Sequence, residues 1–586
     1  MQIQKMTTSY QWSALMCLIV CLLSIASNCM AATKYFDFEI SLVNYTRNCY
    51  TKPLVAVNGQ YPGPTIYVDE GDRVIVTVRN GGNANVTIHW HGIRQLRSCW
   101  QDGTGYITQC PIQPGSSEIY DFNVTQQRGT TFWHAHVSWL RATVHGAFVT
   151  APATGSYPFQ QPDEEIPVIL GEWWNIDVEL VEQQALAAGG GFPLADATTI
   201  NGLPGNYYNC SATEGVSTIY VVTGKTYLLR IVNAALNTEM FFAIANHPLT
   251  VVEADSSYVK PFTVTEGIVI APGQTMNVLV TANQLPGTYY MVGKSHMTLL
   301  VTDPQAIAPV ALPFVLADVP PIPTNGFFQY SGAPVLAPNY TFYPTLPIMN
   351  DTVYSDNFAN SLKTLNPEMV PSGNNIRHLF YTVGTGTELC STCAPQVGGF
   401  RITGAVNNIS FVNPTISILQ AYYYNIPGVY SPTFPDFPPH PYDYTAAPSP
   451  PDLGQISDRG TRVAMVDYGT VIELVLQDVN NFAFESHPFH LHGNFFYVLG
   501  QGYGDYDPTS SPATFNFYDP PARFTVNVPA RGWVAIRFYT DNPGVWFFHC
   551  HLEKHLSWGM QMVFIVLDGP NANQTLPGPT GTLNPC

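Results

Sequence analysis

Four His-x-His pairs constrain the fold of this 586-residue chain more than any other feature of its sequence. Side chains alternate between the two faces of a β-strand, so both histidines of a pair point the same way. Four such strands brought together would direct eight imidazoles into one space, which is typical of a site for several transition-metal ions. The pairs are His89 and His91, His134 and His136, His490 and His492, and His549 and His551.

A cysteine inside the last pair indicates which metal is bound. Cys550 lies between His549 and His551, so on one strand it points to the opposite face, and a metal on its thiolate would lie across the strand from the histidine cluster. Two imidazoles, one thiolate and one weak thioether form the ligand set of a blue copper site. The sequence offers that set as His487, Cys550, His555 and Met560. Met562 is nearby, and either methionine is also compatible with a place in the core.

Three similar units recur along the chain, each made of turns followed by alternating strands. A turn and strand recur at 70–80, 223–233 and 468–478, and Pro-led and Gly-led motifs recur after each of them. The runs between the turns are rich in Val, Ile, Thr, Tyr and Phe, which favours strands. We therefore predict an all-β protein of three tandem β-sandwich or barrel domains.

The middle unit lacks the histidine pairs. It has Val292 and Lys294 where the other two units have histidines, and we interpret its His247 and His296 as structural. The metal cluster is therefore predicted to lie between the first and last domains. The predicted boundaries are a signal peptide at 1–31, domains at 32–155, 156–318 and 371–586, and a connecting segment at 319–370.

The termini and the charge point to a secreted protein. Lys5 and an apolar stretch at 12–26 that ends in small residues predict a cleaved signal peptide, too short to span a bilayer comfortably. A formal net charge of −18 argues against nucleic-acid binding. We expect a soluble glycoprotein without a membrane anchor, with a monomer favoured. Its Asn-x-Ser/Thr sequons are Asn44, Asn85, Asn123, Asn209, Asn339, Asn350, Asn408 and Asn573.

These motifs resemble the multicopper oxidase family, and within it the plant-type laccases. The resemblance runs from about residue 33 to the C-terminus and is carried by HWHGI at 89–93, YITQCPI at 106–112, WHAHVSWLRAT at 133–143, GEWWN at 171–175, INGLPG at 200–205 and DNPGVW at 541–546. It implies three cupredoxin-like Greek-key domains and four copper ions. It also implies that phenols such as monolignols are oxidised by one electron each while dioxygen is reduced to water, in lignin or phenolic polymerisation or breakdown in the apoplast or cell wall.

By position, the resemblance also assigns roles to single residues. The type-1 copper ligands would be His487, Cys550 and His555, with His487 or His555 as the entry point for electrons because an imidazole edge can reach solvent. The type-2 ligands would be His89 and His490, and the type-3 ligands would be His91, His134, His136, His492, His549 and His551. Asp102 and Glu553 fall where the family places acids that help deliver protons. Disulfides would join Cys49 to Cys210 and Cys110 to Cys586, with Cys390 and Cys393 as a third candidate and Cys99 left over.

One departure from the plant-type pattern leaves alternatives open. Plant laccases usually carry leucine at the axial position, whereas this chain has Met560, as ascorbate oxidases do. A thioether ligand should lower the redox potential and favour electron-rich phenols. An ascorbate oxidase-like enzyme and a non-catalytic copper-binding cell-wall protein are the two alternative functions.

Overall fold

The fold is all-β, as predicted, with six sheets arranged as three sandwiches. A computed structural model describes residues 31–206, 215–297, 323–333, 343–367, 370–373, 375–393, 400–439, 457–479 and 485–586. Apart from residue 31, the predicted signal peptide lies outside these ranges. Four short α-helices occur in the described part: α1 (Val178–Ala187), α2 (Thr352–Ser361), α3 (Ile418–Tyr423) and α4 (Glu553–Trp558).

The first domain packs one four-stranded sheet on another. Its strands are β1 (Thr33–Arg47), β2 (Tyr50–Val57), β3 (Ile66–Asp69), β4 (Arg73–Asn80), β5 (Ile88–His91), β6 (Ser117–Asn123), β7 (Gly129–Ala135) and β8 (His145–Ala151). The strand orders are β2-β1-β4-β6 and β3-β8-β7-β5. The pairs β1–β4 and β3–β8 are parallel and the others are antiparallel.

The middle domain has sheets of six and five strands. Its strands are β9 (Glu164–Trp173), β10 (Ala197–Ile200), β11 (Thr218–Val221), β12 (Thr226–Asn233), β13 (Glu239–Ile244), β14 (Leu249–Ala254), β15 (Ser257–Val264), β16 (Ile268–Ile270), β17 (Thr275–Thr281), β18 (Thr288–His296) and β19 (Thr324–Tyr330). The orders are β10-β9-β12-β17-β14-β15 and β11-β19-β18-β13-β16.

The last domain has sheets of eight and five strands. Its strands are β20 (Ile376–Leu389), β21 (Phe400–Val406), β22 (Ile409–Phe411), β23 (Asp458–Gly460), β24 (Val463–Val466), β25 (Val471–Val479), β26 (His487–Leu491), β27 (Phe496–Tyr503), β28 (Ala522–Arg523), β29 (Thr525–Val528), β30 (Gly532–Tyr539), β31 (Gly544–Cys550) and β32 (Gln561–Val566). The orders are β23-β22-β21-β20-β25-β30-β27-β28 and β24-β32-β31-β26-β29.

The recurring sequence motifs occupy equivalent places in the three domains. The strands that follow the first motif, β4, β12 and β25, each run parallel to an early strand of their own domain. The Gly-led motif leads into β7, β18 and β31. By this topology β13 is the counterpart of β5 and β26. His247 lies after the end of β13, so its position is not equivalent to that of His487, the first residue of β26.

The segment at 319–370, predicted as a connection without regular structure, contains β19 and α2. β19 pairs with β18 and β11 and completes a sheet of the middle domain. All but one of its residues are buried. A strand covered on both faces shows no alternation of polar and apolar residues, so no period-2 signal marks β19 in the sequence. The domain boundaries themselves stay predictions.

The cysteines of the described residues form two of the disulfides considered above. The disulfides Cys110–Cys586 and Cys390–Cys393 are present, Cys99 is a buried free thiol, and the predicted partner of Cys49, Cys210, lies outside the described residues.

Within the described ranges, no helix is long and apolar enough to cross a membrane.

A buried ion pair connects the middle and last domains. The Nε of Arg523 donates to Asp255 Oδ2 at 2.7 Å, and the side chains of these two residues are 6% and 0% exposed. The same carboxylate accepts from the Thr525 amide at 3.2 Å and, through Oδ1, from the Thr275 amide at 2.9 Å. Asp255 is therefore bonded to both domains at once.

Asp255→Ala should lower the free energy of unfolding by about 3–5 kcal/mol, because it leaves the buried Arg523 cation without its partner. Calorimetric unfolding of the variant and the parent protein measures this loss. Asp37→Ala is the matched control, since it breaks the 2.9 Å Arg79–Asp37 pair, whose side chains are 52% and 71% exposed. Equal transition temperatures for Asp255→Ala and Asp37→Ala would contradict the structural role of the buried pair.

Candidate metal centre

Two pairs of neighbouring strands carry five of the eight histidines, and His136, His492 and His551 directly follow the ends of β7, β26 and β31. In the first domain β5 and β7 pair with His89 opposite His134, and in the last domain β26 and β31 pair with His490 opposite His549. The two strand pairs meet across the domain interface. There the His89 and His492 rings stack with centroids 4.0 Å apart, and the His91 and His490 rings stack at 3.8 Å.

The imidazoles form three groups whose nitrogen atoms lie within 4.8 Å of one another. In one group His91 Nδ1 lies 3.3 Å from His134 Nε2 and 3.2 Å from His551 Nε2. Each group takes residues from both the first and the last domain. The groups are His91, His134 and His551; His136, His492 and His549; and His89, His91 and His490.

The surroundings of these imidazoles fit metal coordination. Backbone carbonyls accept from the Nδ1 atoms of His89, His134, His490 and His549 at 2.7 to 2.9 Å, which leaves each Nε2 with a free lone pair. The buried Nε2 atoms of His89, His136 and His490 have no hydrogen-bond partner in the described part of the chain. Burial lowers the pKa of all eight imidazoles, which favours the neutral, ligating form. Copper binds such imidazoles, so the donor set fits a copper cluster.

A second donor set lies on the other face of β31. Cys550 Sγ is 3.4 Å from His555 Nδ1 and 3.9 Å from His487 Nδ1, and the two imidazole nitrogens are 3.0 Å apart. All three side chains are buried. Met560 is buried beside them: its carbonyl accepts from the Cys550 amide at 3.1 Å, and its amide donates to the His555 carbonyl at 2.9 Å. Its role as axial ligand stays a prediction, and the equally buried Met562 belongs to the same core.

Carboxylates cover the outer edges of the two imidazoles. Asp478 Oδ1 lies 3.2 Å from His487 Nε2, and Glu485 Oε2 lies 3.1 Å from His555 Nε2. Glu485 also accepts from Lys554 Nζ at 2.6 Å. Burial raises the pKa of Glu485, but the charges of Lys554 and His555 outweigh burial and hold that pKa well below its usual range. The histidine side chains are only 4% and 1% exposed, so neither presents the open imidazole edge that we expected. The sequence reasoning missed both acids, although Glu485 precedes His487 by two residues.

Asp102 lies against the histidine cluster, as its predicted role requires. Its Oδ2 accepts from His492 Nδ1 at 2.9 Å and from Thr104 Oγ1 at 2.8 Å, while its backbone carbonyl accepts from His89 Nδ1. The residue is fully buried. Burial raises the pKa of Asp102, and the neighbouring His89 and Thr104 oppose that rise. One aspartate therefore orients imidazoles from both domains.

Glu553 contacts the cluster through an arginine that the sequence reasoning missed. Arg141 donates to Glu553 Oε2 from Nε and Nη2 at 3.0 and 2.8 Å, and its Nη1 donates to His551 Nδ1 at 3.0 Å. Both residues are buried. Burial raises the pKa of Glu553, and the Arg141 charge opposes it. Arg141 lies five residues after His136, inside the motif at 133–143, and these two facts are the sequence signals that could have identified it.

Comparison with known proteins decides the family. The multicopper oxidase profile matches residues 39–154, 164–309 and 433–570. The chain is 50% identical to Laccase-12 of Oryza sativa subsp. japonica over 97% of this chain and 98% of that protein. This chain belongs to the multicopper oxidase family. It is a laccase-type member, as the sequence motifs predicted, and the family membership implies copper.

Further relatives agree with this assignment. The chain is 49% identical to Laccase-11 of Arabidopsis thaliana over 92% of this chain and 93% of that protein. Its fold is similar to the crystal structure of the laccase from Botrytis aclada, with a TM-score of 0.70 at 25% identity, covering 94% of this chain and 90% of that one. The three cupredoxin-like domains that the resemblance implied are thus confirmed.

Asp102→Asn should reduce copper affinity about 10- to 100-fold, because an amide lacks the charge with which Asp102 holds His492. Copper per chain, measured by mass spectrometry after dialysis against a series of chelator concentrations, gives the affinity. Thr104→Ser keeps the hydroxyl that bonds Asp102 and serves as the control. An Asp102→Asn variant that retains copper as tightly as Thr104→Ser would refute the orienting role.

Proposed function

We propose that this chain is a secreted laccase that oxidises phenols, monolignols among them, and reduces dioxygen to water. The observation that carries the proposal is the pair of donor sets on opposite faces of β31, one built around a thiolate and the other around eight imidazoles. Its laccase relatives over nearly the whole chain support the same activity.

We infer four copper ions per chain. One would be held by His487, Cys550 and His555, with Met560 as a weak fourth ligand. Three would be held by the imidazole groups, with His89 and His490 on one ion. The other two would be held by His91, His134 and His551, and by His136, His492 and His549. Bound copper supplies one-electron redox chemistry, and the protein supplies the ligands, distances and protons.

The two donor sets match the electron balance of the reaction. Four phenols lose one electron and one proton each and become four phenoxyl radicals, whereas dioxygen takes up four electrons and four protons to give two waters. Cys550 is bonded through the backbone to His549 and His551, so electrons that enter at the thiolate have a short covalent path to the imidazole cluster. The chain can thus collect electrons singly and use them together.

Asp102 and Glu553 are the proposed sources of protons. Asp102 Oδ1 is buried and makes no hydrogen bond within the described residues, while Oδ2 holds His492. Oδ1 is therefore the atom at which we place the transferable proton. Glu553 reaches the cluster through Arg141, which also bonds His551, so its proton would leave on the opposite side of the cluster.

We propose that the enzyme works outside the cell, in the apoplast or cell wall, as a glycosylated monomer. The support is the predicted signal peptide together with the sequons. Of the six sequons within the described ranges, five are exposed and Asn408 is half-buried. The exposed asparagines are Asn44, Asn85, Asn123, Asn350 and Asn573.

Met560 is the specific observation that favours the second candidate, an ascorbate oxidase-like activity. An oxygen electrode separates the two candidates when purified, copper-replete protein receives either a monolignol or ascorbate. We expect the monolignol to support the higher rate of oxygen uptake. Uptake with ascorbate alone would assign the second activity, and a copper-replete protein inactive with both would favour the copper-binding protein without catalysis.

Cys550→Ser should abolish phenol-dependent oxygen uptake and the visible absorption of the copper–thiolate bond, because serine supplies no thiolate. Cys99→Ser is a matched control, since Cys99 is the other buried free cysteine among the described residues and its Sγ lies 3.3 Å from both the amide and the carbonyl of Val545. We expect that control to keep both properties. Oxygen uptake at the parent rate in Cys550→Ser would contradict the proposed electron path.

A further inference from the structure

The three domains meet around a cleft that no step of the proposed reaction uses. Its volume is about 280 Å³. Arg94 and Arg128 of the first domain, Tyr258 of the middle domain, and Asn494 and Tyr539 of the last domain all line it. We call the space between these five residues the junction cleft. A ligand held there would contact every domain at once.

Two arginines give the junction cleft a charge opposite to that of the chain. The protein has 41 acidic and 23 basic residues, yet Asp541 is the only acid in the described lining. Arg94 Nη2 donates to Asp541 Oδ1 at 2.5 Å. Arg128 Nη1 donates to Glu70 Oε1 at 3.2 Å. A guanidinium has five N–H donors, and each of these two uses one on a side chain that the structure describes. The remaining donors suit a carboxylate, which can pair with two of them.

Polar groups without partners line the same cleft. Asn494 is 5% exposed, and its side-chain amide makes no hydrogen bond within the described residues. The buried Tyr258 hydroxyl and the buried Arg94 Nε likewise lack a partner in the described part of the chain. Burying a polar group without a hydrogen bond costs free energy, so these groups indicate a place where a polar ligand gains bonds.

Aromatic rings supply the apolar part of the cleft. Tyr539 is 41% exposed, and the Arg128 guanidinium carbon lies 5.2 Å from the centroid of the Tyr258 ring. Ten of the sixteen described lining residues, however, carry polar side chains other than tyrosine. A flat aromatic ligand would leave most of these groups unpaired. A ring with several hydroxyl groups can bond them and still place its C–H face on an aromatic side chain.

We propose that the junction cleft binds a hexuronate, a six-membered sugar ring that carries a carboxylate. The carboxylate would accept from Arg94 and Arg128, the hydroxyl groups would bond Asn494, and one face of the ring would lie on Tyr539. The cleft is smaller than the roughly 300–1,000 Å³ of sites for drug-sized ligands, so it fits one small ring. The free acid and one unit of a polyuronide chain share this chemistry. No residue of the cleft belongs to either copper donor set.

The test compares two sugars on the copper-loaded full chain at a fixed salt concentration. Saturation-transfer NMR measures the affinity for galacturonate and for galactose, which has a hydroxymethyl group in place of the carboxylate. We expect galacturonate to bind about 10-fold more tightly, because galactose forms no charge-assisted hydrogen bonds with the arginines. Saturating galacturonate should also raise the temperature of unfolding, since a ligand that binds only the folded state stabilises it.

Substitution of one arginine tests the assignment to this cleft. Arg128→Gln should weaken galacturonate binding about 10-fold and leave galactose binding unchanged. Arg79→Gln is the matched control, because Arg79 is 52% exposed and lies outside the cleft. Trigalacturonate distinguishes the two sources of the ligand. Tighter binding than galacturonate would support a polyuronide chain, and equal or weaker binding would support the free acid.

Equal affinity for galacturonate and galactose in the parent protein would overturn the proposal, as would galacturonate affinity that is unchanged in Arg128→Gln. Should Arg128→Gln fail to fold, Tyr539→Ala decides the matter, since it shortens an exposed side chain. Galacturonate affinity that is unchanged in Tyr539→Ala would then show that the cleft is not the binding site. None of these measurements depends on oxygen uptake, so the proposal can fail while the laccase activity stands.

Discussion

The alternation of side chains along β31 is the constraint on which the whole arrangement depends. Because His549 and His551 point to one face and Cys550 to the other, one strand serves two donor sets and joins them covalently. An electron path between the sites needs no additional element. Moving the cysteine by one residue would place it among the imidazoles and remove the separate thiolate site.

Docking of the domains is the second requirement. Every imidazole group takes residues from the first and last domains, so the cluster exists only when they are in contact. Asp102 and Arg141, both from the first domain, bond His492 and His551 of the last. Among its described residues the middle domain supplies no member of the imidazole groups, yet its Asp255 holds Arg523 and Thr525, next to His490. We interpret the middle domain as the part that keeps the other two in register.

The sequence predicted what local spacing determines and missed what docking determines. The His-x-His pairs, Cys550 and the three domains follow from strand periodicity and internal repeats, which a single sequence records. Arg141 and Glu485 gain their meaning from the residues that surround them in space: Arg141 lies 410 positions from His551 and Glu485 lies 70 from His555. β19 was missed for a different reason, since its burial on both faces erases the alternation that would reveal it.

The two donor sets are proposed to act as one four-electron unit, and this proposal sets the ratio of phenol oxidised to dioxygen consumed. Oxygen uptake and radical formation would be recorded together in a closed cell, with catalase added at the end. We expect four phenols to be oxidised for each dioxygen consumed, and no release of oxygen when catalase is added. Two phenols per dioxygen, with half of the oxygen returned by catalase, would show that peroxide is the product and would contradict it.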